Sequence, residues 1–259
     1  MLLAFDIGNT TIAAAVFEGE QQRALFVIPH IGHAVEEIGR TIAPQLVRQG
    51  IAAKSIGAAA ISSVVPRLTS LVASFCTEEL HLTPLIINGG LNIGMTLRYD
   101  DPLALGSDRI CSAVAGFEKF GGPLIIVDFG TATTFSVVDA QGNFLGGAIS
   151  LGIGTAAEAL TGRTAQLPPI RLELTSKTIC TNTDEAIRAG ILYGALDAAE
   201  GMMRRIRSEL GTHAKVVATG GLAPWAAQHT TMIDAVEPHL VLAGVRLIYE
   251  RVTTAQAAR

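Results

Sequence analysis

The 259-residue sequence predicts a mixed α/β protein built from two similar halves, and three observations carry that prediction. One apolar run leads into the turn "FDIGNTT" at Phe5, and another leads into "VDFGTATT" at Val127. The two turn acids, Asp6 and Asp128, lie 128 minus 6 or 122 positions apart, close to half the chain. Each turn is followed by a strand meander and then by alternating strands and helices, which reads as mixed α/β with a boundary near Gly121. The repeat is longer than the roughly 20 to 50 residues of a solenoid unit. Two related domains, 1–120 and 121–259, facing a central cleft explain it.

The elements follow in order. Met1 to Phe5, "IAAAVFEG" and "ALFVI" form the first meander. "HAVEEIGRTIAPQLVRQG" has helical spacing with a break at Pro44, "IGAAAISSVV" is strand-like, and "PRLTSLVASFCTEEL" opens on a helix-initiating proline. "PLIIN" is a short strand, and Leu103 to Phe120 reads as a helix ending at Gly121-Gly122. "PLIIVDFGTATTFSVVDAQGNFLGGAIS" then supplies three strands. Helices follow at Thr155 to Thr161 and Asp184 to Leu210, then the strand "AKVVAT", the turn "GGLA" and a last helix around Val241 to Val252.

Composition narrows the function. Hydrophobic residues make up 49% and charged residues 16%, enough material for a buried core and unlike a disordered polymer. A formal charge of -4 disfavours a nucleic-acid-coating surface, so small molecules are the expected partners. No signal-type core or bilayer-length apolar stretch is present, which points to a cytoplasmic protein without a membrane partner. Cys76, Cys111 and Cys180 are odd in number and far apart, as free thiols of a reducing compartment are.

The two turns suggest phosphate chemistry. Glycine lets the backbone approach a ligand, and neighbouring amides and Thr hydroxyls donate to phosphate oxygens. That accounts for Gly8, Thr10 and Thr11, and for Gly130, Thr131, Thr133 and Thr134. An aspartate ending the preceding strand adds a hard oxygen ligand suited to a cation bound with phosphate. A lone Asp-x-Gly-x-Thr is equally a hairpin closure. Two copies at half-chain spacing, with "ATGGLA" at Ala218 between a strand and a helix, favour the phosphate reading.

Other constellations are weaker. The chain has no Gly-Lys dipeptide, which excludes a Walker-type loop. "GIGTAA" at Gly152 has the Gly-x-Gly-x-x-Ala form of a dinucleotide site with Glu173 downstream, but its strand belongs to a meander and "LPP" intervenes. His30 and His33 with Glu36 and Glu37 could be drawn as a metal cluster, though a solvated helix start explains them.

"DIGNTT" at Asp6, "ISSVVP" at Ile61, "YDDPLALGSDR" at Tyr99, "VDFGTATT" at Val127, "GGAISLGIG" at Gly146, "TNT" at Thr181, "ATGGLA" at Ala218 and "LAGVRLIYER" at Leu242 together resemble the type III pantothenate kinases. This family belongs to the acetate kinase, sugar kinase, Hsp70 and actin superfamily, and the similarity covers nearly the whole chain. It implies two duplicated ribonuclease H-like (actin-like ATPase) domains and ATP-dependent phosphorylation of pantothenate to 4'-phosphopantothenate, the first step toward coenzyme A.

The resemblance also implies roles. Asp108 is the general base for the pantothenate hydroxyl, and Tyr99, Gly106, Ser107, Asp108, Arg109 and Thr183 contact substrate. Asp6, Ile7, Gly8, Asn9, Thr10, Thr11, Ile12 and Ala13 form the first ATP loop, with Asp6 on a magnesium shell. Thr131 contacts an ATP phosphate, Asp128 holds a potassium or ammonium ion, and the protein is a homodimer with pantothenate at or near the dimer interface. Plainer readings stand beside these: Arg109 in a solvated Asp-Arg pair at a helix start, Tyr99 at a core edge, Thr183 as an N-cap, and the final helix as core or interface. The family commonly has alanine where Ser107 stands, usually proline where Leu151 stands, and often Asn-Pro where Asp101-Pro102 stands. Rival functions are a nucleotide-binding regulator without turnover and a sugar or acyl-phosphate kinase of the same superfamily.

Overall fold

The computed structural model describes residues 1–29, 35–162, 171 and 173–257. His30 and His33 lie outside the described residues, as do the side chains of Glu36 and Glu37 and the "LPP" at Leu167. The chain divides into two compact units, Met1–Lys119 with Leu240–Arg259, and Phe120–His239.

In the first unit, β1 (Leu2–Ile7), β2 (Thr11–Glu18), β3 (Gln21–Pro29), β4 (Ala58–Ser63) and β5 (Leu85–Ile86) form one sheet in the order β3-β2-β1-β4-β5. β1 and β2, and β2 and β3, pair antiparallel; β4 runs parallel to both β1 and β5. β1 reads as a nearly unbroken apolar run because it lies in the middle of the sheet with its side chains buried. β3, on the edge, shows the alternation of a strand with one wet face.

The second unit repeats the plan. β6 (Leu124–Phe129), β7 (Ala132–Val138), β8 (Phe144–Leu151), β9 (Lys215–Thr219) and β10 (Ala235–Val236) form the sheet β10-β9-β6-β7-β8. Its pairings have the same senses, with β6 antiparallel to β7 and parallel to β9. The two turns differ by one residue. Ile7 faces Ile12 across the first hairpin and Phe129 faces Thr133 across the second, so the first loop is one residue longer.

Helices complete the units: α1 (Val35–Arg48), α2 (Pro66–Glu78), α3 (Ser107–Phe120), α4 (Ile153–Gly162), α5 (Thr183–Leu210), α6 (Ala223–His229) and α7 (Leu240–Ala257). α1 runs through Pro44 without the expected break. An interior proline costs about 3 kcal/mol. Full burial of Ile42 and Leu46 on the same helix offsets it at about 1.5–3 kcal/mol each. The helix expected over Leu103 to Phe120 is in fact two pieces. Asp101 Oδ1 accepts from Leu103 N at 3.0 Å and caps a 3-10 turn at Pro102–Ala104; Leu105 is extended, and α3 begins only at Ser107.

α7 departs from the expected division at residue 121. It packs on β1, β2 and β4 and belongs to the first unit. Gly244 lets it approach α3 at backbone distance, since a Cβ there would overlap the Cys111 carbonyl. Gly244→Ala is expected to lower stability by about 1–3 kcal/mol, the usual cost of overpacking, read as a drop in the urea midpoint. An unchanged midpoint would remove this contact from the account. Among the described residues no helix is long and apolar enough to cross a membrane.

Candidate active site

Both acid-glycine turns stand where a central strand ends. In the first, Gly8 N–H donates to Thr11 O at 3.0 Å, and Val64 N–H, just past β4, donates to Ile7 O at 3.1 Å. Asp6 is in register with Ser62 of β4 and Ala13 of β2. Ile7 and Ile12 are fully buried core residues, so only their backbone can serve a ligand. Gly8, Asn9, Thr10 and Thr11 remain at least partly open to solvent.

The late start of α3 puts Asp108 in its first turn, where the helix N-terminus favours an anion. Asp108 Oδ1 accepts from Arg109 N at 2.8 Å. Burial pushes the Asp108 carboxyl above the ordinary carboxylate range, opposed by that hydrogen bond and the Arg109 charge. Arg109 itself is 6% exposed, which rules out a solvated charge at a helix start. Burial also raises the Cys111 thiol, and the charges of Asp6 and then Asp108 add to the effect while a hydrogen bond with Ser62 lowers it. Asp6 of β1 and Asp108 of α3, two of the expected acids, thus both act on the Cys111 thiol. Tyr99 lies in the segment before the 3-10 turn and is 37% exposed.

In the second unit, Asp128 is in register with Thr219 of β9 and Thr134 of β7. Gly130 N–H donates to Ala132 O at 3.1 Å, and Leu222 N–H donates to Phe129 O at 3.2 Å. Gly220 has φ +89°, and a Cβ there would overlap the Asp128 carboxylate and the Phe129 carbonyl. "ATGGLA" is thus part of the Asp128 turn, with Gly220 the place where β9 closes against it.

"GIGTAA" braces the same turn. A Cβ at Gly152 would overlap the carbonyls of Gly130 and Thr131, and Thr155 Oγ1 donates to Thr131 O at 2.7 Å. Its glycine serves loop packing, and β8 before it pairs antiparallel with β7, which is no β-α-β context for a dinucleotide. Sequence reading missed Thr155 and Ser62 as parts of the site. Ser62 was visible inside "ISSVVP", but nothing in its spacing announced its hydroxyl contact with Ser107, 45 residues on.

Thr183 is the first residue of α5, and the cap is Asn182, whose Oδ1 accepts from Glu185 N at 2.9 Å. The N-cap role considered for Thr183 therefore falls to its neighbour. Thr183 lines a cavity of about 590 Å³ with Thr181, Asn182, Ile187, Ile191 and Leu160.

Two copies of one five-stranded sheet, each with an acid-glycine turn at the end of its central strand, define a duplicated actin-like ATPase fold. Solved structures of the same fold include the (R)-2-hydroxyglutaryl-CoA dehydratase component A of Acidaminococcus fermentans, with TM-score 0.60, 14% identity and coverage of 97% of this chain and 98% of that one. The activator of 2-hydroxyisocaproyl-CoA dehydratase from Clostridium difficile aligns with TM-score 0.55 and 12% identity over 100% of this chain and 97% of the other. Sequence comparison is more specific. The type III pantothenate kinase family description matches residues 2–205. The type III pantothenate kinase of Moorella thermoacetica is 41% identical over 254 residues, covering 98% of this chain and all of that one. The Brevibacillus brevis enzyme is 42% identical over 252 residues, covering 97% and 99%. The chain belongs to the type III pantothenate kinases, which phosphorylate pantothenate with ATP on the route to coenzyme A.

Proposed function

We propose that this chain carries out its family's reaction with Asp108 as general base. The observation behind that assignment is a partly desolvated carboxylate in the first turn of α3, close enough to Asp6 for both to act on Cys111. Asp108 takes the proton of pantothenate's primary hydroxyl as the oxygen bonds to the γ-phosphorus, and the bond to the bridging oxygen breaks to release ADP. Arg109 holds an oxygen of pantothenate or of the phosphoryl group in motion, using a guanidinium that can bond bidentately. Tyr99, Gly106, the backbone of Ser107, Asp108, Arg109 and Thr183 bind pantothenate. Asp6 to Ala13 and Thr131 bind the phosphates of ATP.

The donors at each turn are one carboxylate with backbone carbonyls and hydroxyls. Among the described residues no group of three or more His, Cys, Asp or Glu is gathered. An all-oxygen set with a single carboxylate fits a hard cation that shares its shell with phosphate and water. Asp6 would hold magnesium there and Asp128 potassium or ammonium; the cations neutralise phosphate charge. Replacing potassium with sodium at constant ionic strength is expected to lower kcat/KM for ATP, and equal rates in the two salts would remove the Asp128 assignment.

Homodimerisation is part of the same reading. Ile149, Leu151 and Ile179 of the second unit are 65%, 58% and 84% exposed, apolar surface suited to a second copy. The unpaired state of Cys76, Cys111 and Cys180 suits the cytoplasm.

The direct test is to incubate the protein with ATP, magnesium, potassium and a panel of pantothenate, hexoses and acetate, and to identify products by mass. Phosphopantothenate alone is the expected product. A phosphorylated sugar or acyl phosphate in its place would assign the chain to another kinase class, and ATP binding without product would make it a regulator.

A further inference from the structure

We propose that Ser107 and Ser62 are positioning residues for Asp108, fastening the first turn of α3 to the end of β4 through buried hydroxyls. The proposal rests on the reading of Asp108 as the base. Ser107 is 4% exposed and Ser62 is fully buried. Ser107 Oγ accepts from Ser63 N–H at 2.8 Å, donates to Ser63 O at 3.1 Å and lies 3.0 Å from Ser62 Oγ. A serine hydroxyl has one proton and two lone pairs. With the proton on Ser63 O and both lone pairs taken by Ser63 N–H and the Ser62 hydroxyl, Ser107 Oγ has nothing left for a substrate. Its effect on the reaction must pass through the residue beside it.

The tie continues beyond β4. Ser63 Oγ accepts from Val65 N–H at 3.1 Å and from Thr69 Oγ1 at 2.6 Å, so the same strand end also holds the start of α2. Asp108 follows Ser107 directly, and a shift of that turn moves the carboxylate with it. An alanine at position 107 would here leave the Ser63 N–H and the Ser62 hydroxyl without their partner in a buried place, the costly way to lose a hydrogen bond.

Among the described residues, Arg109 is the charge that acts on Asp108, and Asp108 and Asp6 both act on Cys111. All remain in the variants, so a change in Asp108 reports on its placement.

The experiment compares full-length wild type, Ser107→Ala, Ser62→Ala and Ser62→Thr. It measures kcat, KM for ATP and pantothenate, and the titration of the Asp108 carboxyl by carbon-13 NMR, with Asp108→Asn to assign the resonance. In Ser107→Ala, kcat is expected to fall about threefold to tenfold while KM for ATP stays within about twofold, as for a misplaced but intact base. The Asp108 midpoint is expected to move down toward the ordinary carboxylate value as water reaches it. Ser62→Ala is expected to show a smaller change of the same sign, and Ser62→Thr to recover most of it. Loss of thermal stability with kcat and the Asp108 midpoint unmoved would overturn the proposal. If Ser107→Ala does not fold, the Ser62 pair decides on the same readouts. Should wild type fail to phosphorylate pantothenate while the Asp108 midpoint still moves in Ser107→Ala, the kinase reading falls and the positioning of Asp108 stands.

Discussion

Asp108→Asn is expected to lower kcat by about 10²–10⁴-fold, the usual contribution of a positioned acid or base. Asparagine keeps the size and the hydrogen-bond acceptor for Arg109 N–H but cannot take a proton. ATP affinity, measured by calorimetry, should stay within about twofold, because uniform binding and the transition-state interaction are separable. The pH profile offers a second reading. The base acts only when ionised, and burial raises the Asp108 carboxyl. As pH falls through that raised value, the carboxylate takes up a proton and activity is lost. The acid limb of kcat/KM should therefore lie above the ordinary aspartate value of about 3.9, and Asp108→Asn should abolish it. Full turnover in the mutant would place the base elsewhere.

Gly220→Ala is expected to have the next largest effect, and Gly221→Ala provides its control. At Gly220 the backbone has φ +89° and a Cβ would overlap the Asp128 carboxylate and the Phe129 carbonyl. The positive φ alone costs about 1–3 kcal/mol for a residue with a side chain, and the overlap must also displace Asp128 or open the turn. KM for ATP should rise and any potassium dependence should weaken, along with a lower unfolding midpoint. At Gly221 a Cβ meets nothing within 4 Å, and φ is not positive. That substitution should change stability by less than about 0.5 kcal/mol. Equal behaviour of the two variants would show that the close approach to Asp128 has no functional weight.

Much of this was legible in the chain. The duplication could be read because the acid-glycine turn follows an apolar run in both halves, and a short motif survives where a sheet pattern blurs. Pro44 misled, because an exposed proline on a helix anchored by Ile42 and Leu46 costs no more than that anchorage returns. The break at Leu105-Gly106 was hidden inside a continuous helical spacing, since a 3-10 turn and an α-helix both tolerate that residue pattern. Asn182 and Thr183 are both good capping residues, and only the hydrogen bond to Glu185 N distinguishes them. The Ser62–Ser107 pair was beyond sequence reading because hydroxyl contacts between distant segments leave no periodicity.

The placement of α7 bears on how the chain is made. Synthesis delivers β1 to β5 first and the helix that covers them last, because Leu240–Ala257 packs on β1, β2 and β4. The middle stretch, Phe120–His239, is continuous and has all its own strands and helices once it leaves the ribosome. Domains generally fold as units during synthesis. Here the order of completion is inverted: the part begun second can close before the part begun first, whose sheet has α1 and α2 but lacks α7 until residue 257 is made. A ribosome stalled before residue 240 would hold a nascent chain whose leading half is still open to chaperones and proteases.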